Sequence, residues 1–149
     1  MPTHKPLYTT PQDAEAAFYD ALERADLEAM MAVWAEDEDI VCVHPAGERL
    51  SGQDQVRESW ARLFAGGPNA RVQVSNQVAI AGVMLAVHSV HEEFSIAGAR
   101  PGDPQPSPIV ATNVYLRTAA GWKMIVHHAS PAPAQPGPPP REAAPKILH

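Results

Sequence analysis

Apolar residues recur at helical spacing as far as Phe64, and from Ala70 onward they alternate with polar ones. The stretch TTPQDAEAAFYDALERAD offers a threonine cap, Pro11 in the first turn and acidic residues at the positive end of a helix dipole. It places Ala14, Ala17, Phe18, Ala21 and Leu22 on one face. A second, short helix in DLEAMMAVWA starts at Asp26 and carries Leu27, Met30, Met31 and Trp34 inward. A first strand is expected over Ile40 to Val43. A third helix is expected over QDQVRESWARLF, with Val56, Trp60, Leu63 and Phe64 apolar and Gly66-Gly67-Pro68 as its stop.

The period of two then takes over. ARVQVSNQVAIAG and VMLAVHSVHEEFSI predict a hairpin turning near Gly82, and IVATNVYLRT with WKMIVHHAS predict another across AAG. Between the hairpins, AGARPGDPQPSP reads as a loop. Three helices followed by a curved, mostly antiparallel sheet make the class α+β. Beyond Ser130, PAPAQPGPPPREAAPK is too rich in proline for helix or sheet and reads as an extended tail, with Ile147 and Leu148 available to pin its end. The organisation expected is an arm over 1–9, one domain over 10–131 and the tail over 132–149.

Alternation also assigns faces. Met84, Ala86, His88, Val90, Glu92, Phe94 and Ile96 share one side of their strand, so His88 and Glu92 are polar groups on a largely apolar face. Ile109, Ala111, Asn113, Tyr115 and Arg117 share a face in the next strand. In the last, His128 falls with Trp122, Met124 and Val126, and His127 falls on the other side. Glu92 is expected either to orient one of the imidazoles or to pair with Arg117. An apolar sheet face opposite the helices is often buried in a dimer.

Composition narrows the function classes. A chain of 149 residues with 45% hydrophobic and 19% charged residues forms one domain with a substantial core. Its net charge of -6 and the absence of a dense Lys/Arg cluster leave no electrostatic footprint for nucleic acid. There is no apolar run long enough for a bilayer and no leader-like start, and the single cysteine, Cys42, reads as a small packed hydrophobe. A cytoplasmic location is expected. Neither a phosphate loop nor a Ser or Cys nucleophile motif is present. No metal is expected: His127 and His128 point to opposite sides of a strand, and no HxH or HExxH spacing occurs.

ALERADLEAMMAVWAEDEDIVCVHPAGERLSG, the helix QDQVRESWARLF and the closing GWKMIVHHASP together resemble the nuclear transport factor 2-like superfamily in its SnoaL-like branch, over roughly residues 10 to 131. The last stretch also resembles the association domain of calcium/calmodulin-dependent kinase II. The resemblance implies a cone of three helices and a strongly curved sheet around a pocket, usually in a dimer. Set beside ketosteroid isomerases, which end the corresponding strand with a catalytic aspartate and Pro-x-Gly, the chain reads His44-Pro45-Ala46-Gly47. That comparison implies a proton-shuttling His44. It matches Asn113 to the family's oxyanion donor and Phe18 to its first-helix tyrosine, with Tyr19 one residue away.

Two functions follow as expectations. One is a homodimer binding a compact, partly apolar molecule, with cofactor-free proton transfer, isomerisation or dehydration carried by His44 as acid or base and Asn113 as hydrogen-bond donor. Trp34, Trp60, His88, Glu92, Tyr115 and His128 would then line or support the binding site. The other is a noncatalytic ligand-binding or assembly module, whose polar groups can be scattered through hydrogen-bond networks.

Overall fold

The computed structural model describes residues 6–96, 98–103 and 106–133. The expected proline-rich tail beyond 133 and the first five residues of the arm lie outside them. Helix α1 (Pro11–Arg24) begins where Thr10 accepts a hydrogen bond from the Asp13 amide at 3.0 Å, with Pro11 in its first turn. It ends at Ala25, whose left-handed backbone turns the chain at once into α2 (Leu27–Val33), capped by Asp26 accepting from the Ala29 amide at 3.0 Å. Helix α3 (Gln53–Phe64) packs beside α2.

Six strands form one sheet in the order β2-β1-β6-β5-β4-β3. They are β1 (Val41–Val43), β2 (Arg49–Ser51), β3 (Ala70–Ala81), β4 (Leu85–Ile96), β5 (Ile109–Thr118) and β6 (Gly121–Pro131). Every neighbouring pair is antiparallel except β1 with β6. The two predicted hairpins are β3/β4 and β5/β6. At the turn of the first, a side chain on Gly82 would have its Cβ 2.6 Å from the Leu85 carbonyl oxygen, so the tight return needs glycine. Strand β2 has no counterpart in the sequence reading. It exists because HPAG reverses the chain: the Gly47 amide bonds the His44 carbonyl at 2.8 Å, Pro45 sets the first corner, and Ala46 takes a φ of 61°.

Two irregularities decide where side chains point. In β3 the register with β4 slips between Ser75 and Val78. In β6 it slips between Val126 and Met124, leaving Ile125 as the extra residue. The second bulge corrects the face assignment of the last strand, because one added residue exchanges inside for outside. Trp122 and Met124 are buried as expected, but beyond the bulge His127 and Ala129 turn inward and His128 is exposed. Strands β4 and β5 keep the assigned faces, with Ala86, His88, Val90, Glu92, Ala111, Asn113 and Tyr115 buried.

The core lies between this face and the helices. Phe18 is fully buried and meets Trp60 edge-on at 5.6 Å and His127 at 4.8 Å between ring centroids. A side chain of that size contributes about 1.5 to 3 kcal/mol by leaving water. Cys42 is buried, and burial pushes its thiol up to about 12, so it packs rather than reacts. Among the described residues no helix is long and apolar enough to cross a membrane.

Candidate functional site

A cavity of about 320 Å3 opens between α1, α3 and the sheet. Leu22, Trp60, Phe64 and Phe94 supply much of its apolar wall, and His44, Glu92 and His127 bring polar groups to it. Each of these three arrives by a local rule of the chain. His44 is delivered by the end of β1, where Pro45 stops the strand. Glu92 follows from the alternation of β4. His127 is there because of the bulge at Ile125.

His44 is half-buried, and its ring stands edge-on to Trp60 at 4.7 Å. Its Nε2 lies 3.0 Å from Ser59 Oγ, and the Ser59 hydroxyl donates to the Val56 carbonyl at 2.8 Å. A hydroxyl has one hydrogen, so Nε2–H donates to Ser59 and Nδ1 keeps a bare lone pair. Burial lowers the pKa of this imidazole from 6.5, leaving it neutral at physiological pH. Glu92, only 2% exposed, has its pKa raised by burial, partly offset by the hydrogen bond that Tyr19 Oη donates to its Oε2 at 2.6 Å. Its Oε1 has no hydrogen-bond partner among the described residues. Glu92 therefore neither orients an imidazole nor pairs with Arg117, which is exposed.

Behind the cavity wall lies a buried polar cluster. Asn113 Nδ2 donates to Tyr19 Oη at 3.0 Å and to Glu15 Oε2 at 3.2 Å, and Asn113 Oδ1 accepts from His127 Nδ1 at 2.6 Å. Glu15 Oε2 also accepts from Tyr115 Oη at 2.8 Å and from His88 Nδ1 at 3.0 Å, while Gln77 donates to Oε1. Burial drives the His127 pKa down to about 3, with the charges of His44 and His128 adding to the effect, so its ring is neutral.

The expected site residues therefore divide. His44, Trp60 and Glu92 share the cavity. His88, Asn113 and Tyr115 are brought together, but around Glu15 and away from the cavity lining. Both hydrogens of the Asn113 amide are already given to protein acceptors, which corrects its expected role as donor to a substrate oxygen: it positions His127 and Tyr19. Trp34 is a fully buried core residue beside Met124, and His128 faces away. Tyr19, not Phe18, carries the first-helix hydroxyl into the interior.

Three residues were missed: Glu15, Tyr19 and His127. Glu15, Phe18, Tyr19 and Leu22 stand at helical spacing i, i+3, i+4 and i+7, which is the only signal that places the two polar ones inward. Among the described residues no three His, Cys, Asp or Glu side chains are grouped so that they could hold a metal ion.

Solved structures share this fold. A candidate calcium/calmodulin-dependent protein kinase type II association domain from Thiobacillus denitrificans is 38% identical and superposes with a TM-score of 0.75, over 86% of this chain and 99% of that one. A candidate dehydratase of the nuclear transport factor 2-like family from Streptomyces avermitilis is 32% identical with a TM-score of 0.72, over 81% and 92%. F-box protein SKIP8 of Arabidopsis thaliana is 25% identical over 113 residues, which are 76% of this chain, and the match spans 46% of the plant protein's length. Residues 12–135 match the SnoaL-like domain. With the α+β cone and its cavity in place, the chain belongs to the SnoaL-like domain family of the nuclear transport factor 2-like superfamily.

Proposed function

We propose that this domain binds a small, partly apolar molecule in the cone and acts on it by cofactor-free proton transfer of the isomerase or dehydratase type. The observation that carries the reading is that His44 and Glu92 open on one mostly apolar cavity, where burial lowers the pKa of the base and raises that of the acid. Environments of this kind keep one group free to take a proton and make the other readier to hold one. In a dehydration, His44 Nδ1 takes a carbon-bound proton, the released electron pair forms the C=C bond, and the C–O bond breaks as Glu92 gives its proton to the departing oxygen. Water leaves, and solvent returns the proton from His44 to Glu92. The similarity to a candidate dehydratase supports the same chemistry.

The test is turnover of small hydroxyl and carbonyl compounds in deuterated water, followed by proton NMR. Deuterium uptake or alkene formation by wild type, reduced 100-fold or more in His44→Ala and Glu92→Gln, is expected. Undiminished turnover in both variants would refute the assignment.

A noncatalytic binding or assembly module is the second reading, favoured by the 38% identity to the candidate kinase association domain. For either reading we propose a cytoplasmic homodimer. The far end of the β3/β4 hairpin supports self-association, since Val78, Ile80, Val83, Met84 and Leu85 are exposed there. Sedimentation of wild type beside Ile80→Lys and Met84→Lys tests this, the variants being expected as monomers.

A further inference from the structure

The cavity's polar groups differ in what they offer a ligand, and the difference is fixed from behind. Asn113 is held in one amide orientation because its Nδ2 faces the Glu15 carboxylate and the Tyr19 oxygen, whose own hydrogen goes to Glu92. Its Oδ1 is consequently turned to His127 Nδ1, which must carry the hydrogen of that 2.6 Å bond. His127 Nε2 is left with a lone pair and no protein partner among the described residues, on a side chain that lines the cavity. Burial keeps the ring neutral, so this nitrogen stays an acceptor. His44 presents the same chemistry through Nδ1, and the two rings flank Trp60 at 4.7 and 6.1 Å.

Among the described residues, the remaining charged groups at the cavity are Glu23 and Glu92, and no Lys or Arg lines it. Glu23 already accepts from the Val72 amide at 2.8 Å. A carboxylate or phosphate ligand would meet acidic side chains without a cation. A ketone, which only accepts, can take a hydrogen bond from Asn69 or from Glu92 when that group holds a proton, but it leaves both imidazole lone pairs unmet. A hydroxyl suits every group present: it donates to an imidazole lone pair and can accept from Glu92 when that group holds a proton.

We infer that the cavity selects a neutral hydroxyl compound, an alcohol or phenol on an apolar body, whose O–H donates to the bare nitrogen of His127 or His44. This inference rests on the proposed binding of a small molecule in the cone, and it names the chemical class.

The experiment uses 1-indanol, 1-indanone and indane-1-carboxylate, three probes with one apolar body and different heads. Each is titrated into the full chain with calorimetry and with nitrogen-15 NMR of the histidine rings. The expected results are a Kd for 1-indanol at least about tenfold below the other two, a His127 ring in the Nδ1–H form before addition, and a shift of its Nε2 resonance on adding 1-indanol. Equal or tighter binding of the ketone or the carboxylate, or an Nε2–H ring at His127, would overturn the inference while leaving ligand binding in the cone intact. Failure of all three probes at millimolar concentration to move His44 or His127 would remove both the inference and the reading beneath it.

Discussion

The same kinds of side chain serve two purposes on the two sides of Tyr19. Toward the buried side, Glu15 holds His88, Asn113, Tyr115 and Gln77, with both carboxylate oxygens occupied. Toward the cavity, Glu92, His44 and His127 each spend one polar atom on the protein and leave one free. Burial alone does not separate a structural cluster from a reactive one, since Glu15 and Glu92 are 6% and 2% exposed. What separates them is the count of donors supplied per acceptor. The closed cluster contributes stability and geometry, and the open one keeps hydrogen-bonding capacity for a ligand.

The largest effect on folding is expected from the closed side. Glu15→Ala leaves Asn113, Tyr115 and His88 facing a void with buried donors and no acceptor, which costs about 3 to 5 kcal/mol. Urea unfolding of the purified variant checks the number, and a loss below about 1 kcal/mol would mean that the cluster is dispensable. Glu92→Gln is the natural contrast, because an amide still accepts from Tyr19.

Acid is the next lever, and it acts on two groups of the open side with opposite sign. His127 has its pKa lowered to about 3 in the folded chain from an ordinary value of 6.5, so the unfolded state takes up a proton first as pH falls. Stability from this group is complete above 6.5 and is lost between 6.5 and about 3, at no more than about 1.4 kcal/mol per pH unit. Glu92 opposes it: its raised pKa makes the folded state the better proton acceptor, so its contribution grows as pH falls from the folded value toward 4.5. Unfolding curves between pH 7 and pH 5 are expected to weaken steadily in wild type and to flatten in His127→Phe. An unchanged slope in the variant would show that His127 titrates normally.

Much of this architecture was legible in the sequence. Thr10 and Pro11 announce α1, Gly82 and Gly121 mark the two hairpins, and HPAG places His44 where β1 ends. The centre of the site was less so. Glu15 and Tyr19 look like the solvated side of an amphipathic helix, because nothing local shows that Asn113, about a hundred positions away, waits beneath them. The exchange of His127 for His128 hangs on one bulged residue, Ile125, and alternation counts straight through a bulge. Patterns of period decide elements well. Which of two adjacent histidines faces inward is decided by pairing between strands.

Tyr19→Phe probes the boundary between the two sides and is expected to cost about 1 to 2 kcal/mol, since it removes the hydroxyl that accepts from Asn113 and donates to Glu92. Its sharper readout is electrostatic. The Tyr19 hydrogen bond holds the Glu92 pKa down, so without it that value climbs further. Carbon-13 titration of the Glu92 carboxyl follows the shift. A fall or no change would mean that Tyr19 does not set the acid at the cavity.

The smallest effect on folding is expected at His44, and this makes it the most informative position for ligands. The ring is half-buried, bonds a part-buried serine with a long contact to Cys42 Sγ at 3.8 Å, and touches the edge of Trp60, so His44→Ala should change stability by about 1 kcal/mol or less. A ligand present at one hundred times its dissociation constant stabilises the folded chain by about 2.7 kcal/mol. A compound that raises the melting temperature of wild type and not of His44→Ala therefore binds through this imidazole, since the variant's own stability is nearly unchanged. A compound that stabilises both equally sits elsewhere or needs only the apolar wall. In that case the open side would differ from the closed one in hydration alone, and its free nitrogen would have no partner to recognise.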